Sequence, residues 1–260
     1  MNEGAMILKR MVAFKALVGS ANYNLATPES DQDYKVFVLP TFDDLYHNYI
    51  FTKSNVGSSI DEEYHDIRKL IGLLWKSNVN FMEVLFSIDV IQSDNKLIRE
   101  AMDQLFKMRD QIAAMNLPYL YKACKGMYVS KAKYIEEGNN ATKEFVHLFG
   151  YDTKSAMHTY RILDFIERFA NNRFTNFKNA ITYSHSDREF LLSIKHGAFT
   201  KSQILRIIDA KLQIFGELEQ TYLKQKPKED VKEQLEKIIY QLTANVIRNQ
   251  LVKISNNKDN

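Results

Sequence analysis

Hydrophobic residues first gather at Ala13–Val18, a short run that stops at Gly19-Ser20 and predicts a buried strand ending in a tight turn. After the turn chemistry of Thr27-Pro28-Glu29-Ser30, the segment Asp31–Leu39 alternates. Asp31, Asp33, Lys35 and Phe37 fall on one face, and Tyr34, Val36 and Val38 on the other. That is the pattern of a second strand, one that begins with charge. Asp43–His47 predicts one or two helical turns. The stretch through Ser58-Ser59 has no period and reads as loop with room for an edge strand. From Glu62 to Trp75, Ile67, Leu70, Ile71 and Leu74 recur at helical spacing until Ser77-Asn78. Phe81–Ile88 then reads as a third strand, with Glu83 inside an otherwise apolar segment.

Beyond residue 94 the period is helical almost without interruption. Leu97, Ile98, Met102, Leu105 and Phe106 make one stripe of Lys96–Met108. Leu117–Glu137 opens with Pro118, which suits a first helical turn. Thr153 is the expected N-cap of Lys154–Ala170, and Ser186–Lys195 opens with a Ser-x-x-Glu capping pattern and ends at Gly197. Thr200–Leu223 and Pro227–Ile254 complete the series, and the tail Ser255–Asn260 is polar and expected to fray. The fold class is therefore α+β, with a mixed α/β unit over 1–93 and an all-helical unit over 94–260. Leu235, Ile238, Leu242, Val246, Ile247 and Leu251 line one side of the last helix. This side should pack on its own helical unit, with a dimer face as the alternative.

Composition narrows the function. The chain has 260 residues, with only 9 Gly and 4 Pro, so hairpin turns are few and helix should dominate. A net charge of +3 is too small to drive binding to a polyanion without a local basic patch. One Cys excludes an internal disulfide or a Cys-rich zinc site and fits a reducing compartment, so a cytoplasmic location is expected. No run approaches the ~20 apolar residues of a membrane span, and no membrane partner is expected. Lys9 and Arg10 precede an apolar run in the manner of a signal peptide, but Lys15 splits that run and no Ala-x-Ala site follows.

The chemistry-bearing stretch is Gly19-Ser20 followed, eleven positions on, by Asp31-Gln32-Asp33. Residues two apart on a strand point the same way, so the two carboxylates converge above one face. At ~4 Å and an effective dielectric of about 20 their repulsion is about 4 kcal/mol, which a cation would relieve. All-oxygen ligands select Mg²⁺ or Mn²⁺ over zinc, and paired acids suggest phosphoryl-transfer chemistry. Gly19-Ser20 adds backbone N–H groups and a hydroxyl at a turn where a phosphate can approach closely.

Gly-Ser, a spacer and Asp-x-Asp together resemble the signature of the DNA polymerase β-like nucleotidyltransferase superfamily. The fuller stretch Gly19–Lys35 is similar to one branch of it, the predicted nucleotidyltransferases that include the RNA-ligase-associated group and phage members. Asn78-Val79-Asn80-Phe81-Met82-Glu83 resembles that branch's Asn-Pro-Asn…Glu segment, and Lys154, His158 and Arg161 match its Lys-x-x-x-His-x-x-Arg helix. A weaker echo lies at Ile194–Phe199. This sequence departs from the branch at Val79, where Pro is usual, and at Asn24-Leu25, where relatives tend to have Gly after the aromatic.

The resemblance implies transfer of a nucleoside monophosphate from an NTP, with release of pyrophosphate, to an acceptor that is an RNA, a protein or a small molecule. It implies Asp31, Asp33 and Glu83 as catalytic and metal-binding carboxylates, with Asp89 as the substitute for Glu83. Gly19, Ser20, Lys154, His158 and Arg161 would hold the nucleotide. Lys154, His158 and Arg161 share one helical stripe, and three donors there suit a triphosphate. The plainer readings are a Glu83 that faces solvent or pairs with a Lys, and a solvated basic face. Lys122, Lys125, Lys131 and Lys133, interleaved with tyrosines, suit nucleic acid or a half-buried helix equally well. His47, His65, His147 and His185 read as structural, as does Cys124, whereas His196 would lie near the nucleotide if its segment packs there. The rivals to a transferase are a non-catalytic nucleotide-binding module and a phosphohydrolase on the same carboxylates.

Overall fold

The computed structural model describes residues 10–57 and 59–256, so Lys9, Ser58 and the tail beyond Asn256 lie outside the described residues. Two strands form where the apolar run and the alternation predict them, β1 at Val12–Val18 and β2 at Gln32–Val38. The short helix α1 follows at Phe42–Tyr46. The edge strand is β3, Thr52–Val56, and its partner β4 runs over Ile60–Asp66. The helix expected from Glu62 therefore begins only at Arg68, as α2, Arg68–Trp75. The apolar spacing of Ile67 to Leu74 is helical, whereas Glu62 to Asp66 had none, and pairing with β2 makes those residues a strand.

Phe81–Ile88 is not a strand. Val79–Met82 is the helical turn α3, and Glu83–Phe86 continues it as a 3₁₀ turn. Val84, Leu85 and Phe86 are all buried in succession, which a helical turn wedged into the core achieves as well as a strand does. The last strand, β5, is the short Val90–Gln92. The sheet order is β3-β4-β2-β1-β5, with β2 and β4 parallel and the other neighbours antiparallel.

The helices follow as α4 (Lys96–Lys107), α5 (Arg109–Ala113), α6 (Leu117–Ala132), α7 (Tyr134–Glu137), α8 (Lys143–Phe149) and α9 (Thr153–Asn171). Then come α10 (Phe177–Ile181), α11 (His185–Lys195), α12 (Lys201–Glu217), α13 (Glu219–Leu223) and α14 (Glu229–Asn256). Two caps differ from expectation by one or two residues. Asp152, not Thr153, caps α9 by accepting from Ser155 N–H, and Ser184, not Ser186, caps α11. In each case the acceptor sits where the backbone is still extended, the conformation a cap requires.

Phe14, Ala16, Val18 and Phe37 of the sheet belong to the same hydrophobic core as the inner faces of α4, α6, α9 and α12. One core thus runs through both halves. The other sheet face carries a second, smaller cluster of Val36, Val38 and Phe51 with Tyr64 against them, and the Lys15–Glu62 ion pair at 2.5 Å. The last helix packs on its own chain, but on both halves of it: α14 lies against α1, α2, α4 and α5, with Leu235, Ile239, Leu242, Val246 and Ile247 buried, whereas Ile238 is half-buried and Leu251, beyond the packed stretch, is exposed.

Candidate active site

The sheet register assembles the site. Val18, the last residue of β1, pairs with Asp33, so the turn at Gly19–Ala21 emerges beside that carboxylate. On the other side of β2, Asp33 is in register with Asp61 near the start of β4. Side chains in register on parallel neighbours share a face about 4.8 Å apart. Asp31 precedes β2 by one residue and is exposed. Three carboxylates therefore gather on the helical side of the sheet, at the entry of β2.

Their electrostatics register the crowding. Burial, then Asp61, then Asp31 push the Asp33 carboxyl above its ordinary value, while Lys35 and Lys154 pull it back. The glycine between turn and strand is required on two counts. Gly19 has φ of 78°, in the left-handed region, and a Cβ there would stand 3.1 Å from Asp33 Oδ2.

Asp61 is the residue the sequence reading missed. The segment Asp61-Glu62-Glu63 sits at the N-terminal edge of what looked like an amphipathic helix, and nothing in its spacing marks Asp61 as a neighbour of Asp33. The parallel pairing of two strands far apart in sequence is what brings it there. Asp89, the substitute considered for Glu83, accepts a hydrogen bond from Tyr34 at 3.0 Å. Because Tyr34 follows Asp33 in the strand, Asp89 lies toward the opposite face.

Glu83 sits elsewhere from where an apolar strand would have put it. It is 3% exposed, and its Oε2 accepts from Gly19 N–H at 3.0 Å and from Asn22 Nδ2 at 3.1 Å. Its carboxylate thus holds the Gly19–Ala21 turn through Gly19 N–H and the Asn22 side chain. Burial pushes its carboxyl up, and Asn22, Arg161, the Gly19 N–H and Lys35 pull it back. Val79, where Pro is usual in the branch, occupies the first position of α3 behind the Asn78 cap, a position that Pro favours but does not require. Asn24, where relatives tend to have Gly, has φ of 60°, which Asn tolerates better than most side chains.

The basic residues come from the central helix α9. Lys154 is exposed at its first turn, and its charge acts on both Asp33 and His158. His158 is held well below its ordinary pKa by burial and then by Arg161, Lys131, Lys154 and Lys195. Its imidazole is therefore neutral at pH 7, a hydrogen-bonding group and not a cation. Arg161 turns inward, its guanidinium 3.8 Å above the Tyr23 ring. His196 is exposed at the end of α11, and it is the neighbouring Lys195 whose charge reaches His158. On α6, Tyr121 is buried and stacked on Phe215 at 4.4 Å, whereas Lys122, Lys125 and Lys131 are exposed, Lys125 pairing with Glu219 at 3.5 Å.

The donor set fits a hard divalent cation: three carboxylates, no sulfur and no imidazole at the strand entry. Among the described residues no three His, Cys, Asp or Glu side chains already surround one point as a metal cage. Asp31 and Asp33 are exposed side chains. Among the described residues no helix is long and apolar enough to cross a membrane.

No curated protein matches this sequence. A family description does: the RNA repair pathway DNA polymerase beta family, over residues 5–243. That description covers most of the chain, and the chain belongs to the RNA repair pathway DNA polymerase beta family.

Proposed function

We propose that the protein is a divalent-metal-dependent nucleotidyltransferase that moves a nucleoside monophosphate from an NTP to an acceptor hydroxyl and releases pyrophosphate. The observation that carries this reading is the register of Asp33 between Val18 and Asp61, which sets Asp33 and Asp61 beside the Gly19–Ala21 turn, with Asp31 close by. Asp31, Asp33 and Asp61 would hold Mg²⁺ or Mn²⁺, which when bound would neutralise charge at the reacting phosphate and make the acceptor hydroxyl easier to deprotonate. Gly19 N–H already bonds Glu83, so phosphate contact falls to the N–H groups of Ser20 and Ala21 and to the Ser20 hydroxyl. Lys154, exposed beside Asp33, supplies a cation for the outer phosphates, with His158 behind it as a neutral donor. The acceptor hydroxyl attacks the α-phosphorus, its oxygen–phosphorus bond forming as the bond to pyrophosphate breaks, and one of the three carboxylates takes the proton.

The family description names RNA repair, which favours an RNA terminus as acceptor over a protein or a small molecule. The test is to incubate the protein with each α-labelled NTP, Mg²⁺ or Mn²⁺, and RNAs ending in hydroxyl or phosphate. Label should enter RNA with the wild type and not with Asp31→Asn/Asp33→Asn. Label appearing only as free monophosphate would make the protein a hydrolase instead, and nucleotide binding without turnover would make it a binding module.

A further inference from the structure

Two of the sequence segments that mark the branch, one at Asn78–Glu83 and one at Lys154–Arg161, meet behind the Gly19–Ala21 turn. There Glu83 accepts from Gly19 N–H and from Asn22 Nδ2 with the same oxygen. Asn22 is fully buried and uses its remaining capacity on the frame, donating to Leu17 O at 2.9 Å and accepting from Ile88 N–H at 3.1 Å. Tyr23 is 3% exposed and lies under the Arg161 guanidinium. The helical half holds the same loop further on: Tyr183 N–H donates to Tyr23 O at 3.1 Å, Asn24 Nδ2 to Tyr183 O at 3.0 Å, and Arg188 to Ala26 O at 2.9 Å.

A carboxylate this deeply buried needs compensation, because a lone buried charge is costly. One bond from the backbone N–H of Gly19 and one from the Asn22 side-chain amide supply part of it. The positive charges that face Glu83 are Arg161 from α9, Lys35 from β2 and Lys178 from α10. Lys35 is paired with Glu63, and Lys178 donates to Phe86 O at 2.6 Å. Arg161 heads these charges in its effect on Glu83 without an ion pair to it: its guanidinium stacks on the Tyr23 ring, and Tyr23 adjoins Asn22, whose side chain donates to Glu83.

We propose that Glu83 and Arg161 are positioning residues: a charge-compensated strut, running from α9 past Tyr23 to Gly19 N–H, that fixes the phosphate-binding turn against the helical half. Glu83 then binds no metal and Arg161 no phosphate. The strut explains why the turn keeps its shape with Gly19 in a left-handed conformation, and why two segments remote in sequence accompany the Gly-Ser turn. It rests on the nucleotidyltransferase reading only for what the turn holds, since the strut itself is a matter of packing.

The experiment is a cycle of Glu83→Gln, Arg161→Met and the double variant, with Glu83→Ala beside it. Melting temperature is measured without ligand, and ATP affinity with Mn²⁺ is measured well below melting. Arg161→Met leaves a buried carboxylate unopposed and should lower the melting temperature; adding Glu83→Gln should recover at least half of that loss. Glu83→Gln keeps an oxygen for Gly19 N–H and should hold ATP affinity within about threefold, whereas Glu83→Ala should lose about tenfold or more. Phe215→Leu, a core change far from the turn, serves as a destabilised control that keeps wild-type affinity. The gain in melting temperature from Mn²⁺ should be the same in every strut variant. Loss of that gain in Glu83→Gln would overturn the proposal by making Glu83 a metal ligand. Additive melting losses, with Arg161→Met weakening ATP far more than adenosine whatever stands at 83, would overturn it by making Arg161 a phosphate ligand. If the wild type binds no nucleotide, the nucleotidyltransferase reading fails, and the melting cycle alone still decides the strut.

Discussion

Replacing Gly19 by Ala perturbs the site through one methyl group, and Gly150 provides its control. Both glycines have φ of 78°. An Ala in the left-handed region costs about 1–2 kcal/mol wherever it stands. At Gly150 nothing lies within 4 Å of the added Cβ, so backbone strain is the whole effect. With about 2–4 °C per kcal/mol for a chain of this size, Gly150→Ala should lower the melting temperature by roughly 2–8 °C.

At Gly19 the same strain applies, and the Cβ would also stand 3.1 Å from Asp33 Oδ2. Asp33 is an exposed side chain that can yield by a few tenths of an ångström, so the extra loss of stability should be small. What changes is where the carboxylate sits relative to Asp31 and Asp61. A ligand at a hundredfold excess over its Kd stabilises by about 2.7 kcal/mol, and a tenfold weaker Kd removes about 1.4 kcal/mol of that. The assay is a thermal melt of each protein with and without Mn²⁺ and ATP. Both variants should lose similar stability without ligand, and only Gly19→Ala should lose half or more of the ligand-induced gain. If Gly19→Ala keeps the full gain, or Gly150→Ala loses as much, the close approach of turn and carboxylate is irrelevant to binding and the reasoning fails.

Asp61→Asn should reduce nucleotidyl transfer about a hundredfold or more while leaving the apo fold as stable or slightly more so, because it removes a like charge from beside Asp33; Asp89→Asn, on the Tyr34 side, should stay within about threefold, and the reverse ranking would return the third carboxylate to Asp89. His158 is depressed well below 6.5, so the folded state binds its proton less readily than the unfolded chain does. Its contribution is intact above pH 6.5 and falls as pH drops below that value, by at most about 1.4 kcal/mol per pH unit, and melts from pH 7.5 to 5 should show a shallower decline for His158→Gln than for wild type. Lys211, which donates to Asp164 and to Glu167 at 2.6 Å each, ties α12 to α9, and Lys211→Met should cost about 1–3 kcal/mol in urea unfolding with ATP affinity unchanged in the folded protein. A Lys211→Met protein of wild-type stability would show that this tie is merely a surface pairing.

Much of the fold is written in local pattern. The apolar run Ala13–Val18 and the alternation of Asp31–Leu39 are strong enough to place both strands, and the helical half follows the stripes of Leu97 to Phe106 and Leu235 to Ile247, because each of these segments has apolar surface to bury whatever it packs on. The Gly19-Ser20 turn and the Asp31–Asp33 pair were legible for the same reason: their geometry is set within a few residues. Glu62 to Asp66 and Phe81 to Ile88 were misread because their environment is not local. The first is a strand only by pairing with β2, and the second is wedged whole into the core, where continuous burial erases any period. The same limit governs the site. That Asp61 joins Asp33, and that Glu83 turns to Gly19 N–H with Arg161 behind it, depends on contacts between segments tens of residues apart, which only the closed sheet and the helices packed against it bring within reach.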